Sequence, residues 1–213
     1  FAEDEVIRGS LSADTGLFGA DAVPGDVLRG RRRFLACLRL VHHKGADVLA
    51  DAYRDYRAST TDPWALDVVG MGPLEDRLAG LEGVRLHGFR QPAEVADLMR
   101  SASCLVVPSR EEPYGVILHE GALSALPIVS TYFVGAAPLF VQDGQNGWTV
   151  PGADPAALAD ALRRVSSAPA ERLGEMSRIS RALGARTSSA GWARHLHEEL
   201  VRRGAGRGVR EPR

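Results

Sequence analysis

Short apolar runs alternate with helix-period patterns through most of the chain. Residues 34–38, 66–70, 84–87, 104–107, 127–130 and 148–150 are brief, apolar and bounded by turn formers, which predicts six strands. Between them, residues 45–57, 74–81, 92–101, 116–125 and 154–165 repeat their apolar positions at helical spacing. Two of these helices carry start signals, Asp154 with Pro155 at the first helical position and Gln91 with Pro92. Strands that alternate with helices in this way predict an α/β fold, a parallel sheet wrapped by helical crossovers. Beyond Val165 the pattern is wholly helical, over residues 169–184 and 187–203. Residues 1–30 are less regular, and the Gly/Arg-rich residues 204–213 read as a disordered basic tail.

Composition narrows the class without naming a function. The chain has 213 residues, 45% hydrophobic and 25% charged, enough to bury one sizeable core. A net charge of −1 gives no support for a nucleic-acid partner. The cluster Arg29, Arg31, Arg32, Arg33 and the tail Arg202, Arg203, Arg207, Arg210, Arg213 read as solvated charge. No apolar run reaches the roughly 18 residues needed to cross a bilayer, and no secretory signal opens the chain. Cys37 and Cys104 sit in apolar strand-like runs and read as reduced core residues of a cytoplasmic protein. Their spacing, like that of His42, His43, His195 and His197, suits no metal site, so no metal is expected.

The chemistry concentrates in Ser109-Arg-Glu-Glu-Pro-Tyr-Gly-Val-Ile-Leu-His-Glu120. Glu112 falls on a loop at the carboxyl end of a strand, and Glu120 lies about two turns into the helix that follows. Open α/β sheets bind ligands at that end. A helix start there offers unpaired N–H groups near Val116 and Ile117 and a positive dipole end, which suit a phosphate. A carboxylate such as Glu120 suits a vicinal diol, because its two oxygens can each accept one hydroxyl proton. Glu120 also stands among Val116, Ile117, Leu118 and Leu123, and a charge near a core needs a partner.

These residues resemble the E-x7-E motif of retaining glycosyltransferases of the two-Rossmann-domain (GT-B) type, family 4. Arg39-Leu-Val-His-His-Lys-Gly45 is similar to that family's R-L-x-x-x-K-G phosphate loop, and Val69-Gly-Met-Gly-Pro73 to its V-G-x-G-P turn. Asp143-Gly-Gln-Asn-Gly147 with Val150-Pro-Gly-Ala-Asp154 resembles its D-G-x-N-G and P-x-D region. The resemblance covers roughly residues 34–165 and implies a Rossmann-like sheet that forms the carboxyl-terminal, nucleotide-sugar-binding half of the fold. On that basis residues 1–30 are an interdomain segment and the start of the donor half, 31–166 the Rossmann-like domain and 167–203 the terminal helices. An amino-terminal domain carrying the acceptor site is expected in the same or a partner chain.

The resemblance also implies roles. Arg39 and Lys44 fall on the diphosphate oxygens, Glu112 beside the donor sugar, and Glu120 on the ribose hydroxyls. Gly115, Val116 and Ile117 present backbone to the phosphates, Gly70 and Gly72 let the backbone approach the nucleotide, and Phe89 or Arg90 covers the base. The donor is a nucleotide diphosphate sugar, the acceptor a sugar or small molecule, and no cofactor is implied. Two departures stand out: Ala125 occupies a position where glycine is common, and the G-G-x-P-E loop reads Gly135-Ala-Ala-Pro-Leu139. Gly70-Met-Gly-Pro73 lacks the third glycine of a dinucleotide fingerprint, which weighs against NAD. A non-catalytic nucleotide-sugar-binding or regulatory subunit is the alternative, and an epimerase would not call for Arg39 and Lys44 together with E-x7-E.

Overall fold

The computed structural model describes residues 6–7, 9–19 and 32–206. Arg29 and Arg31 of the basic cluster, Arg207, Arg210 and Arg213 of the tail, and most of the 1–30 segment lie outside the described residues. Six strands, β1 (Arg33–Cys37), β2 (Ala65–Val69), β3 (Val84–Gly88), β4 (Cys104–Val107), β5 (Ile128–Thr131) and β6 (Gly147–Val150), form one parallel sheet in the order β3-β2-β1-β4-β5-β6. This is the expected Rossmann-like α/β architecture. Phe34 stands opposite Leu66 of β2 on one side and Cys104 of β4 on the other, so β1 is central.

Alternating side chains send the strands' apolar residues to two cores. On one face Phe34, Ala36, Leu66 and Val68 pack under α2 (Ala46–Ala58) and α6 (Pro155–Ser166). On the other, Leu35, Leu105, Val107 and Ile128 pack under α3 (Pro92–Ser101) and α4 (Val116–Leu123). A short α1 (Thr15–Gly19) and the start of α5 (Ala137–Phe140) join this second layer, and α7 (Ala170–Gly184) covers α4. α2 is locked to the strand after it, because Tyr53 Oη donates to Trp64 O at 2.9 Å and Trp64 N–H donates to Tyr56 Oη at 2.8 Å. The last helix, α8 (Ser189–Gly206), runs past its expected end at 203.

Three boundaries differ from the sequence reading. The helix expected over 74–81 is only a 3-10 turn at Glu75–Arg77, because glycines at 80 and 83 turn left-handed just beyond it and leave too few residues to propagate a helix. α5 was not foreseen, since four residues carry no readable period. α4 stops at Leu123 rather than 125, because Ala125 adopts φ +60° ahead of Pro127. That is the left-handed conformation glycine would fill without strain.

Ala153 repeats this strain in the open, with φ +61° and an exposed side chain. Ala153→Gly should therefore stabilise the protein by about 1 kcal/mol, since it relieves a left-handed alanine without emptying a packed site. Ala125→Gly should yield less, because its methyl group is buried. Thermal melts of the two variants test both the sign and the order.

Candidate functional site

β1 has neighbours on both sides, β2 and β4, so the loops that leave β1 and β4 diverge and open a crevice. This is the switch point at which open α/β sheets bind ligands. A cavity of about 210 Å³ fills it, with Arg39 and Lys44 on one wall and Glu112, Gly115, Val116 and Ile117 on the other. Six residues chosen from the sequence thus meet in one crevice, although up to 78 positions separate them. Cys37 and Ser109, which the sequence reading had not assigned to the site, also line it.

The loops are built by tight backbone approaches and one partly buried ion pair. Gly45 ends the β1 loop at φ +74°, and a Cβ there would lie 2.0 Å from Pro108 O, so the two loops touch backbone to backbone. Arg110 then ties them: its guanidinium grips Asp47 at the start of α2 at 2.6 and 2.8 Å and donates to His42 O at 2.7 Å. Burial pushes the Asp47 carboxyl up, but the Arg110 hydrogen bond and charge outweigh this and hold it below its ordinary value. On the far side the N–H of Glu112 donates to Phe133 O at 3.1 Å and Gly135 N–H to Glu112 O at 3.0 Å. The carboxylate loop is therefore fixed to the β5 loop. Gly115, at φ +88°, caps α4, and no acceptor from outside the helix meets the N–H of Val116 or Ile117 among the described residues. A first turn left open in this way can hold an anion.

The charges divide into a paired and an unpaired set. Lys44 Nζ lies 2.7 Å from Glu112 Oε2, with the side chains 19% and 23% exposed. Arg39, exposed on its loop, has no carboxylate partner among the described residues. Glu120 lies about one turn into α4 rather than the two expected, because the helix begins only after Gly115; it is partly buried and has no hydrogen-bond or ion-pair partner among the described residues. Burial alone raises its carboxyl from the ordinary 4.5 to about 7. It stands close enough to Cys37 at the cavity floor for its charge to add to the burial that pushes that thiol upward.

Gly70, Gly72 and Phe89 reach the same edge of the sheet but not this cavity. A Cβ at Gly70 or Gly72 would lie 1.9 Å from Leu38 O or 2.5 Å from Leu40 O. These glycines seat the β2 turn against the back of the Arg39 loop. Phe89 follows β3 and is 65% exposed. His119, beside Glu120, is fully buried: its Nδ1 accepts the Ala13 N–H at 2.9 Å, so the proton sits on Nε2, which donates to Gly184 O at 2.9 Å. Burial holds its pKa below the ordinary value. A larger cavity of about 440 Å³ lies at the opposite end of the sheet, where Arg32 and Trp64 flank the amino ends of β1 and β2. It is remote from the carboxylates. Among the described residues no group of three or more His, Cys, Asp or Glu side chains is placed to hold a metal, and no helix is long and apolar enough to cross a membrane.

Known proteins share this chain's sequence pattern and fold. The chain is 37% identical over 125 residues to a D-inositol 3-phosphate glycosyltransferase of Streptomyces griseus, an overlap of 58% of this chain and 25% of that protein. It therefore spans about a quarter of that relative's length. The structure of Anabaena Alr3699/HepE in complex with UDP-glucose superposes with a TM-score of 0.72 at 21% identity, over 89% of this chain and 56% of that one. The C-terminal domain of a glycosyl transferase group 1 family protein (LpcC) from Francisella tularensis superposes with a TM-score of 0.69 at 21% identity, over 83% of this chain and 98% of that chain. Residues 31–168, more than half of the chain, match the family described as Glycosyl transferases group 1, and the chain belongs to that family.

Proposed function

We propose that this chain is the donor-binding half of a retaining glycosyltransferase of family 4, which moves a sugar from a nucleotide diphosphate to an acceptor held largely by another domain. The observation that carries this reading is the half-buried carboxylate of Glu120, without a partner among the described residues and one helical turn from the open N–H groups of Val116 and Ile117, which line the same cavity as Arg39 and Lys44. A charge held that way awaits a partner, and a ribose diol supplies two hydroxyl donors. The relative named as a D-inositol 3-phosphate glycosyltransferase supports sugar transfer, and the neighbour solved with UDP-glucose supports a nucleotide-sugar donor.

In this reading Arg39 and Lys44 take the diphosphate with the first turn of α4. As the bond from the anomeric carbon to the diphosphate oxygen breaks, its electron pair goes to that oxygen, and the cations and N–H groups stabilise the developing charge. Glu112 orients the sugar hydroxyls and favours positive charge on the ring. Its pairing with Lys44 means that a diphosphate drawing Lys44 away releases Glu112 toward the sugar. The acceptor hydroxyl attacks the face the diphosphate leaves and passes its proton to the departing diphosphate oxygen, which retains the anomeric configuration. No metal or cofactor enters this scheme.

Calorimetric titration with UDP, GDP and ADP tests the reading and identifies the base. Arg39→Ala and Lys44→Ala should each weaken diphosphate binding by roughly 1.5–3 kcal/mol, with little effect on the nucleoside, and the loss should shrink as salt rises. An unchanged preference for diphosphate over nucleoside in both variants would assign the phosphates to the helix end alone.

A further inference from the structure

We propose that residues 11–13 form a strap that positions both carboxylate-bearing elements of the site, with Tyr114 and His119 as the residues it grips. The proposal rests on the reading of Glu112 and Glu120 as donor ligands. Tyr114 stands between Glu112 and the start of α4, and its hydroxyl donates to Leu11 O at 2.7 Å. His119 immediately precedes Glu120, and its Nδ1 accepts the Ala13 N–H at 2.9 Å. Two residues of one extended segment therefore hold the neighbours of both site carboxylates. The segment lies outside the stretch that matches the family, residues 31–168.

The strap is itself anchored. Phe18 and Ala13 are buried in the core under α4, and Ser124 Oγ donates to Phe18 O at 3.3 Å. Arg181 of α7 donates to Gly19 O at 2.9 Å and to Leu123 O at 2.7 Å, which fastens the segment and the end of α4 to one side chain. His119 is held on every side, since its ring also lies flat on Phe140 at 4.7 Å and 8° and its Nε2–H bonds Gly184 O. Its orientation is thereby set, and with it the direction in which Glu120 leaves the next position of the helix.

The need for a strap follows from the local chain. α4 has only eight residues, and its N-cap Gly115 sits in a left-handed conformation with no side-chain cap. A short helix entered through glycine does not fix the loop ahead of it. Tyr114 adds a side-chain restraint to the backbone bonds that tie this loop to the β5 loop, so the spacing of Glu112 and Glu120 is held most tightly while the strap is seated. Displacement of residues 11–13 should loosen both carboxylates together and lower donor affinity without unfolding the sheet.

Tyr114→Phe in the full 213-residue chain removes one hydroxyl and little else. Amide hydrogen exchange of the unliganded protein should then accelerate about tenfold at residues 112–118, while exchange in β1 and β4 stays as in wild type. Affinity for UDP, GDP or ADP, whichever the wild type binds, should fall several-fold with little change in melting temperature. A second pair of variants separates positioning from packing. His119→Asn keeps an acceptor for the Ala13 N–H, whereas His119→Gln keeps a donor for Gly184 O, and the Asn variant should retain more nucleotide affinity. Unchanged exchange at residues 112–118 in Tyr114→Phe, or equal affinity of the Asn and Gln variants, would overturn the strap. Failure of the wild type to bind any of the three nucleotides sinks the donor reading instead, and the exchange measurement still decides the strap.

Discussion

Glu120→Gln should make the unliganded protein more stable above pH 7 and at the same time remove most of its nucleotide affinity. Burial raises the folded-state pKa of this carboxyl from 4.5 to about 7, so folding favours the protonated form. That preference stabilises the protein fully below about pH 4.5 and is lost as pH rises through about 7. Above that point the wild type carries a half-buried charge without a partner among the described residues, and glutamine does not. The expected gain is on the order of 2 kcal/mol at alkaline pH, allowing for the open side of the site, and close to zero in acid. Ligand binding moves the other way, because a ribose diol needs the charged acceptor: the variant should lose roughly 1.5–3 kcal/mol of nucleotide affinity. Wild-type affinity should accordingly rise with pH through about 7. Denaturant midpoints in acid and alkali, paired with calorimetry, read both effects. A stability change that does not depend on pH, or equal wild-type affinity for ribo- and deoxyribonucleotide, would remove Glu120 from the ribose.

Transfer by the isolated chain should be almost nil even where donor binding is intact. A correctly placed acceptor contributes on the order of 7–11 kcal/mol of barrier reduction, and the proposed acceptor site belongs to another domain. Closure of two domains also excludes water, so slow donor hydrolysis is the most this chain should manage alone. Addition or fusion of the acceptor domain should restore transfer with the anomeric configuration retained. In that enzyme Glu112→Ala should lower turnover far more than donor affinity. The ion pair at 2.7 Å gives the reason: removing Glu112 frees Lys44 for the diphosphate while depriving the reacting sugar of its carboxylate. Robust transfer by the 213-residue chain, or a product of inverted configuration, would defeat the reading.

Local sequence was enough to place the strands, most helices and the two carboxylates. Each of these is written within a few residues: the apolar run of 104–107 reads as a strand, Asp154-Pro155 caps α6 with a 2.9 Å bond to Ala157 N–H, and the seven-residue gap sets Glu112 on a loop and Glu120 on a helix. The left-handed turn at Ala125 was likewise legible from the place where glycine is common. The 3-10 turn at Glu75–Arg77 was misread as a helix because apolar spacing does not count the residues available between two chain reversals.

Tertiary structure alone decided which charges are satisfied. Arg110 meets Asp47 across 63 positions, Lys44 meets Glu112 across 68, and Ala13 meets His119 across 106. No local periodicity encodes such pairs, because they exist only once the parallel sheet sets β1 beside β4 and α4 beneath the amino-terminal segment. The sequence determined that Glu120 is a carboxylate on an apolar helix. Only the packed structure could leave it without a partner among the described residues, since a carboxylate's cost depends on the water and donors that the surrounding elements remove or supply.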